Sequence, residues 1–180
     1  ATVVDGTGAK LLTADVAVND GLITEVGRIT SNAHRTIAAD GAHFLPSFVD
    51  IHTHYDGQVS WDETFTPSIY HGVTTLVMGN CCVGFAPVRP GEQAPLIDLM
   101  QGVEDIPESV LTEGICWNWE TFGEYTRAME RMPRSLDFMT LVPHDALRLY
   151  VMGERGAHGE VASDDDLSQM HHLLREAMTD

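Results

Sequence analysis

Alternation between strand-like and helix-like segments, which starts near residue 48, limits the possible folds of this chain more than any other feature. Three short apolar runs predict buried strands, at residues 48–51, 73–78 and 136–142. Helical apolar spacing occurs between and after these runs, at residues 61–71 (broken or delayed at Pro67, with Gly72 as the stop), 95–103, 119–132, 145–152 and 163–178. Ser163, which three acidic residues follow, predicts the N-cap of the last helix. Strands that alternate with helices predict βα units around a parallel sheet.

The first 45 residues show a different sequence pattern, in which short strand-like segments are separated by turn sequences. Residues 15–19 and 22–26 alternate in polarity on either side of Asp20-Gly21, which predicts a hairpin with a type I′ turn. A further short strand is predicted at residues 36–38, and another leads into Pro46. The sequence therefore predicts a small antiparallel β unit at residues 1–45, and an α/β unit at residues 46–180.

Composition excludes several classes of partner. The chain has 180 residues, with 27 acidic and 10 basic side chains, and a formal net charge of −17. A surface this acidic repels phosphate groups, so we expect neither nucleic acid nor a membrane as a partner. Three cysteines do not form a disulfide framework, which favours a reducing compartment such as the cytoplasm. Neither a membrane-spanning run nor a signal peptide is visible in the sequence.

A His-x-His pair at the end of the first apolar run is the sharpest functional signal. Alternate side chains of a strand share a face, so Asp50, His52 and His54 are predicted to point the same way. Two imidazoles on one face can reach a single metal ion. In parallel α/β folds, functional groups also gather at the carboxyl ends of strands. The alternative is that these are polar residues entering a loop.

The next two predicted strands also end in possible metal ligands. Cys81 follows the second apolar run within "GNCCVG", and His144 follows the third within "LVPHDALR". A thiolate is a strong ligand for zinc-like metals, although a free cysteine is more often a small buried apolar residue. His144 has the alternative of a hydrogen-bonded loop histidine. The recurrence at three successive strand ends predicts a metal site formed by His52, His54 and Cys81.

Three neighbouring side chains are candidates for supporting roles. Asp50 lies two residues before His52 on the same predicted face, where it can orient a ligand, or be satisfied inside the fold. Tyr55 and Asp56 begin the first loop after the strand, where they can contact a substrate or simply be solvated. His144 is predicted only to lie near the site.

Several motifs together resemble one enzyme family. They are "FVDIHTHYDGQ", "HGVTTLVMGNC", "VGFAPVRPG", "LIDLMQGVEDIP", "WNWETFGEY" and "VPHDALRLYVMG". These motifs, spread over almost the whole chain, resemble the N-acyl-D-amino-acid deacylases (D-aminoacylases) of the metal-dependent amidohydrolase superfamily. The resemblance implies a (β/α)₈ TIM barrel preceded by strands of a small β-sandwich. It also implies that His52, His54 and Cys81 bind one or two zinc ions.

The reaction implied by the resemblance is hydrolysis of the amide bond of a small N-acyl-D-amino acid. Zinc lowers the pKa of bound water toward about 7 and polarises a carbonyl group. A carboxylate then carries the proton to the leaving amine; in the family that aspartate lies beyond the stretch matched here. A full barrel takes about 250 residues, more than the 180 of this chain. We therefore expect an N-terminal fragment that is inactive alone.

Two departures from the family pattern leave other functions open. The family usually has glycine at the positions of Ser47 and Cys82, where a positive φ or a close backbone approach is often needed. A hydantoinase-like or dihydroorotase-like cyclic amide hydrolase is one alternative; a carboxylated lysine would suit it, whereas Lys10 is the only lysine. The other alternative is a catalytically dead barrel that serves as a scaffold.

Overall fold

The chain divides into two structural units. The structure is a computed structural model, and it describes residues 1–104 and 106–179. The first unit spans Ala1–Ser47 and the second spans Phe48–Asp180. Within the described residues, no helix has the length and apolar character needed to cross a membrane.

The first unit consists of short strands in two small sheets. Their bounds are β1 Thr2–Val3, β2 Leu12–Thr13, β3 Asp15–Asn19, β4 Leu22–Gly27 and β5 His43–Phe44. Strand β1 pairs antiparallel with β2, and β3 pairs antiparallel with β4. The prediction of an antiparallel unit is wrong for β5, which pairs parallel with β1. The predicted hairpin is correct, and both turn residues have positive φ, 50° at Asp20 and 78° at Gly21. The strand predicted at residues 36–38 is wrong, because these residues are not part of a strand.

The second unit is organised around a parallel sheet of three strands. These are β6 Phe48–Asp50, β7 Val73–Met78 and β8 Asp137–Thr140, in the order β6-β7-β8. Both pairings are parallel, as the sequence predicts. The burial predicted for the first strand is wrong, because Phe48, Val49 and Ile51 are exposed. Because parallel strands end at the same edge of a sheet, the segments after β6, β7 and β8 start side by side.

Six helices accompany this sheet within the described residues. They are α1 Ala94–Glu104, α2 Glu108–Gly114, α3 Phe122–Glu130, α4 His144–Met152, α5 Glu154–Ala157 and α6 Asp164–Ala177. Four of them were predicted, whereas α2 and the single turn α5 were not. The core of the unit packs β7 against these helices, and Leu76, Met78, Met100 and Leu111 are fully buried in it.

The helix predicted at residues 61–71, broken or delayed at Pro67, forms only as a short 3-10 turn, which follows that proline and stops at Gly72 as predicted. Only two short 3-10 turns form nearby, at Gln58–Ser60 and Ser68–His71. The Asp62 carboxylate accepts hydrogen bonds from the backbone N–H groups of Thr64 and Thr66, both at 2.8 Å. These bonds take the place of helical ones, since a short acidic side chain competes with the backbone for its own donors.

Candidate metal centre

The carboxyl edge of the parallel sheet brings together the three predicted metal ligands. His52 and His54 follow β6, and Cys81 lies in the 3-10 turn Asn80–Cys82 directly after β7. His52 Nε2 lies 3.2 Å from Cys81 Sγ. One donor atom from each of the three residues lies within 4.8 Å of the other two. Tetrahedral zinc bonds place donors roughly 3.3–3.8 Å apart, so small side-chain rotations suffice to close the set on one ion.

The two histidines lie just beyond their strand rather than on it. Strand β6 ends at Asp50, but the segment after it stays bonded to β7 through Thr53. Thr53 is buried, and its N–H and Oγ1 both donate to the Val77 carbonyl, at 3.0 and 2.8 Å. His52 is exposed and His54 is partly buried, and their ring centroids are 5.5 Å apart. Thr53 therefore anchors the segment to β7 and leaves both imidazoles available on the other side.

Asn80 and a left-handed backbone run set the position of Cys81. Asn80 Nδ2 donates to the carbonyls of Val77, at 2.9 Å, and Thr53, at 3.3 Å. Cys81 and Cys82 have φ values of 52° and 70°, which side chains with a Cβ adopt rarely. The positive φ of Cys82 explains why glycine suits that position. Ser47 does not have a positive φ, so its backbone conformation does not require glycine.

His54 has a carboxylate neighbour that the sequence analysis missed. Its Nδ1 atom is buried and has no hydrogen-bond partner among the described residues, and Glu104 Oε1 at the end of α1 lies 3.6 Å away. Proteins commonly use a carboxylate near a histidine to orient the ring toward a metal. The "GVEDIP" motif contains Glu104 and was the available signal. The thiol of Cys81 and the two imidazoles, one of them beside an orienting carboxylate, form a donor set that fits a zinc-class ion.

The supporting candidates lie in different surroundings. Asp50 Oδ1 accepts a hydrogen bond from the His52 backbone N–H at 3.3 Å. Tyr55 is buried, and its hydroxyl lies 2.8 Å from Ser68 Oγ. Asp56 is only 2% exposed, so the alternative that Tyr55 and Asp56 are solvated loop residues is wrong. Both side chains are buried in the interior, directly after His54 in the chain.

Burial dominates the electrostatics of Asp56. Desolvation raises the pKa of its carboxyl from 3.8 to about 7, against the opposing effect of backbone N–H groups of Asp56 and Gly79. The negative charge of Glu104 makes a smaller contribution to this rise in pKa. Asp56 Oδ2 has no hydrogen-bond partner within the described part of the chain.

His144 lies beside Cys82, the residue after the predicted ligand Cys81. It is the first residue of α4, its side chain is 60% exposed, and its Nδ1 lies 3.3 Å from Asp145 Oδ1. One donor atom from each of Cys82, His144 and Asp145 lies within 4.8 Å of the other two. The structure thus contains a second cluster of possible metal ligands, which the sequence analysis did not predict.

Comparisons with known proteins show extensive similarity. A family model described as the amidohydrolase family matches residues 35–180. The D-aminoacylase of Alcaligenes xylosoxydans xylosoxydans is 30% identical over 178 residues, which cover 98% of this chain and 34% of that enzyme. The N-acyl-D-aspartate deacylase of the same organism is 31% identical, over 99% of this chain and 33% of that enzyme.

A solved structure supports the fold independently. A D-aminoacylase structure, described for its binuclear metal centre, matches with 32% identity and a TM-score of 0.80, over 99% of this chain and 35% of that one. This chain thus spans about a third of the length of these relatives. The predicted fold class, the first part of an amidohydrolase barrel, is confirmed.

Proposed function

This chain belongs to the amidohydrolase family, and we propose that it supplies metal ligands to a zinc-dependent enzyme that deacylates N-acyl-D-amino acids. The proposed reaction is hydrolysis of a linear amide C–N bond in a small molecule. A D-aminoacylase and an N-acyl-D-aspartate deacylase each match nearly the whole of this chain, which supports the choice of substrate class. The observation that carries the proposal is the 3.2 Å approach of His52 Nε2 to Cys81 Sγ, from neighbouring strand ends.

His52, His54 and Cys81 would hold the metal. Two imidazoles and one thiolate are donors that suit zinc, and Zn²⁺ accepts such mixed sets in four-coordinate sites. A divalent metal bound there would supply Lewis-acid polarisation of the amide carbonyl and a nucleophile at neutral pH.

The chain's own residues hold these ligands in place. Thr53 and Asn80 tie the two ligand segments to the same carbonyl group, that of Val77, so the imidazoles and the thiol keep their spacing. The Glu104 carboxylate, 3.6 Å from His54 Nδ1, would orient the second imidazole. Asp50 would orient the segment of His52 through its backbone N–H group. Tyr55 and Asp56 are buried, so we assign them no contact with substrate.

Metal content tests the metal part of the proposal. The chain, expressed in zinc-supplemented medium and purified without chelators, is analysed for zinc together with the variants His52→Ala, His54→Ala and Cys81→Ser. Each variant is expected to retain less zinc than the parent chain. Cys116→Ser is the matched control, because Cys116 is exposed and lies in neither ligand cluster. Equal zinc in all five proteins would contradict the proposal.

A chimaera tests the substrate class. This chain replaces the matching first third of the Alcaligenes D-aminoacylase, and the zinc-loaded product is assayed with N-acetyl-D-amino acids, their L-enantiomers, a hydantoin and dihydroorotate. We expect hydrolysis of the D-amides, and its loss in the His52→Ala chimaera. Hydrolysis of a cyclic amide in place of the D-amides would favour the alternative substrate class. A folded, zinc-loaded chimaera that turns over none of them would favour the scaffold alternative.

A further inference from the structure

The second ligand cluster contains a thiol, an imidazole and a carboxylate from two separate segments. Cys82 ends the turn after β7, and His144 and Asp145 begin α4. One donor atom from each lies within 4.8 Å of the other two. We propose that Cys82, His144 and Asp145 bind a zinc-class divalent cation, at a site separate from that of His52, His54 and Cys81.

The donor chemistry favours this class of ion. An imidazole and a thiolate select borderline metals such as zinc and cobalt over the hard cations calcium and magnesium. The thiolate and the Asp145 carboxylate together carry two negative charges, which balance a divalent cation. Three protein ligands leave one position of a tetrahedral ion open, as in zinc sites that exchange a ligand.

Close packing between the two segments keeps the donors together. Gly84 lies against Pro143, the residue before His144, and a Cβ added at Gly84 would lie 2.7 Å from Pro143 Cγ. Pro143 and Gly84 are both buried, so this contact fixes the turn of Cys82 against the start of α4. Only side-chain rotations are needed to close the three donors on one ion, and these are available because Cys82 and His144 are exposed.

The site is open to ions and to a further ligand. His144 and Asp145 line a groove of about 820 Å³ between α1, α4 and the segment after α5. Asp98, Arg148 and Glu160 also line this groove and give it polar walls. A metal held at the cluster would therefore have solvent access on the groove side.

The two adjacent thiols serve different clusters. Cys81 Sγ lies 3.2 Å from His52 Nε2, whereas Cys82 groups with His144 and Asp145. Cys82 also keeps a side chain at a φ of 70°, where glycine would relieve strain of roughly 1 kcal/mol. Replacing Cys82 with glycine is therefore expected to remove a ligand without unfolding the chain.

Cobalt absorption can assign the metal to Cys82. The chain carrying Cys81→Ser is titrated with Co²⁺, and the thiolate-to-cobalt charge-transfer band is recorded. The band is expected in this background because Cys82 remains. It should disappear on adding Cys82→Gly, and weaken at least tenfold in apparent affinity on adding His144→Ala or Asp145→Asn. The matched control, Cys81→Ser with Cys116→Ser, should keep the full band.

The contrary results are equally specific. No charge-transfer band in the Cys81→Ser chain would overturn the second site, as would a band that survives Cys82→Gly or is indifferent to both His144→Ala and Asp145→Asn. Circular dichroism of each variant shows that it is folded before titration. The first site is reported separately, by the band of the Cys82→Gly chain, which depends on Cys81 and His52. Failure of one site is thereby distinguished from failure of the other.

Discussion

Gly79, directly after β7, lies in close contact with the backbone of the segment after β8. Its φ is 81°, and a Cβ built there would lie 2.4 Å from the Leu141 carbonyl oxygen. Backbone atoms cannot yield as a flexible side chain can, so both the left-handed conformation and the lack of a side chain are required. This contact brings the carboxyl ends of two neighbouring strands together just before the Cys81 turn.

Replacing Gly79 with alanine should therefore destabilise the chain strongly. Gly91 is the matched control: its φ is 86°, and an added Cβ meets no described atom within 4 Å. Gly91→Ala measures only the cost of a left-handed backbone conformation for a residue with a Cβ. It should lower the unfolding free energy by about 1 kcal/mol. Gly79→Ala adds a backbone clash and should cost about 3 kcal/mol or more. Urea unfolding of both variants measures the difference, and equal losses would refute the close approach.

Asp62 is a half-buried carboxylate with four hydrogen-bond donors. Gln58 Nε2, Thr64 N–H, Thr64 Oγ1 and Thr66 N–H donate to it at 2.7–2.8 Å. Burial raises its pKa, but the hydrogen bonds from Thr64, Gln58 and Thr66 outweigh burial and lower the pKa from 3.8 to about 2. The ionised Asp62 carboxylate thus stabilises the non-helical conformation of residues 62–66.

This pKa shift predicts an acid-dependent loss of stability. The folded chain binds a proton at Asp62 less readily than the unfolded chain, so the contribution is complete above pH 3.8 and is lost as the pH falls toward about 2. Unfolding free energy is measured in urea from pH 6 to pH ~2.5. Asp62→Asn should be less stable at pH 6 and should show a shallower decline in acid. Identical slopes for the two proteins would contradict the shift.

Among the elements, α6 shows the clearest agreement between sequence and structure. Ser163 is its N-cap, as predicted: Ser163 Oγ accepts from the Asp166 N–H at 3.2 Å, and Asp166 Oδ2 accepts from the Ser163 N–H at 2.9 Å. Arg155 lies 2.7 Å from Asp166 Oδ1 and lowers the pKa of that carboxyl well below its ordinary range. The capping box thus fixes the start of α6, and the Arg155–Asp166 ion pair joins this start to α5.

Removing the cap hydroxyl should weaken the first turn of α6. Ser163→Ala is expected to lower the unfolding free energy by about 1 kcal/mol. The matched change is Ser168→Ala, which removes an exposed hydroxyl from the interior of α6 and should be neutral or slightly stabilising. Thermal and urea unfolding of both variants provide the test. A Ser163→Ala variant as stable as Ser168→Ala would show that the capping bonds contribute nothing.

Elements with strong local signals could be predicted, and those set by competing side chains could not. The hairpin of β3 and β4 follows from Asp20-Gly21, and α6 follows from Ser163 and its apolar spacing. The segment at residues 61–71 has helical spacing, but the bonds of Asp62 to backbone N–H groups decide its conformation. The short α2 lacks a side-chain hydrogen bond at its N-cap, Pro107, and gave no comparable signal.

At the scale of the whole molecule, parallel strand order made part of the candidate site predictable. His52, His54 and Cys81 follow neighbouring strands, so the sequence alone indicated that they meet. Glu104 lies near His54, and Asp145 belongs to the second cluster. Both residues are on helices, so the periodicity of the strands could not indicate their positions. The second cluster also depends on the packing of Gly84 against Pro143, a tertiary contact without a local sequence signal.

The domain boundary predicted near residue 45 stays a prediction, and truncation tests it. We expect residues 46–180 alone to keep the helical circular dichroism of the second unit and the cobalt affinity of both clusters. The physical reason is that every ligand and the main core cluster lie in this unit. Loss of cooperative unfolding in the truncated chain would show instead that residues 1–45 are needed for folding.

The central claim is that His52, His54 and Cys81 share one metal ion. Zinc K-edge X-ray absorption measures this most directly, on a Cys82→Ser, Cys116→Ser chain loaded with one equivalent of zinc. The account predicts one sulfur at about 2.3 Å and two imidazole nitrogens at about 2.0–2.1 Å, with the sulfur lost on adding Cys81→Ser. A zinc shell without sulfur, or one without imidazole scattering, would contradict it.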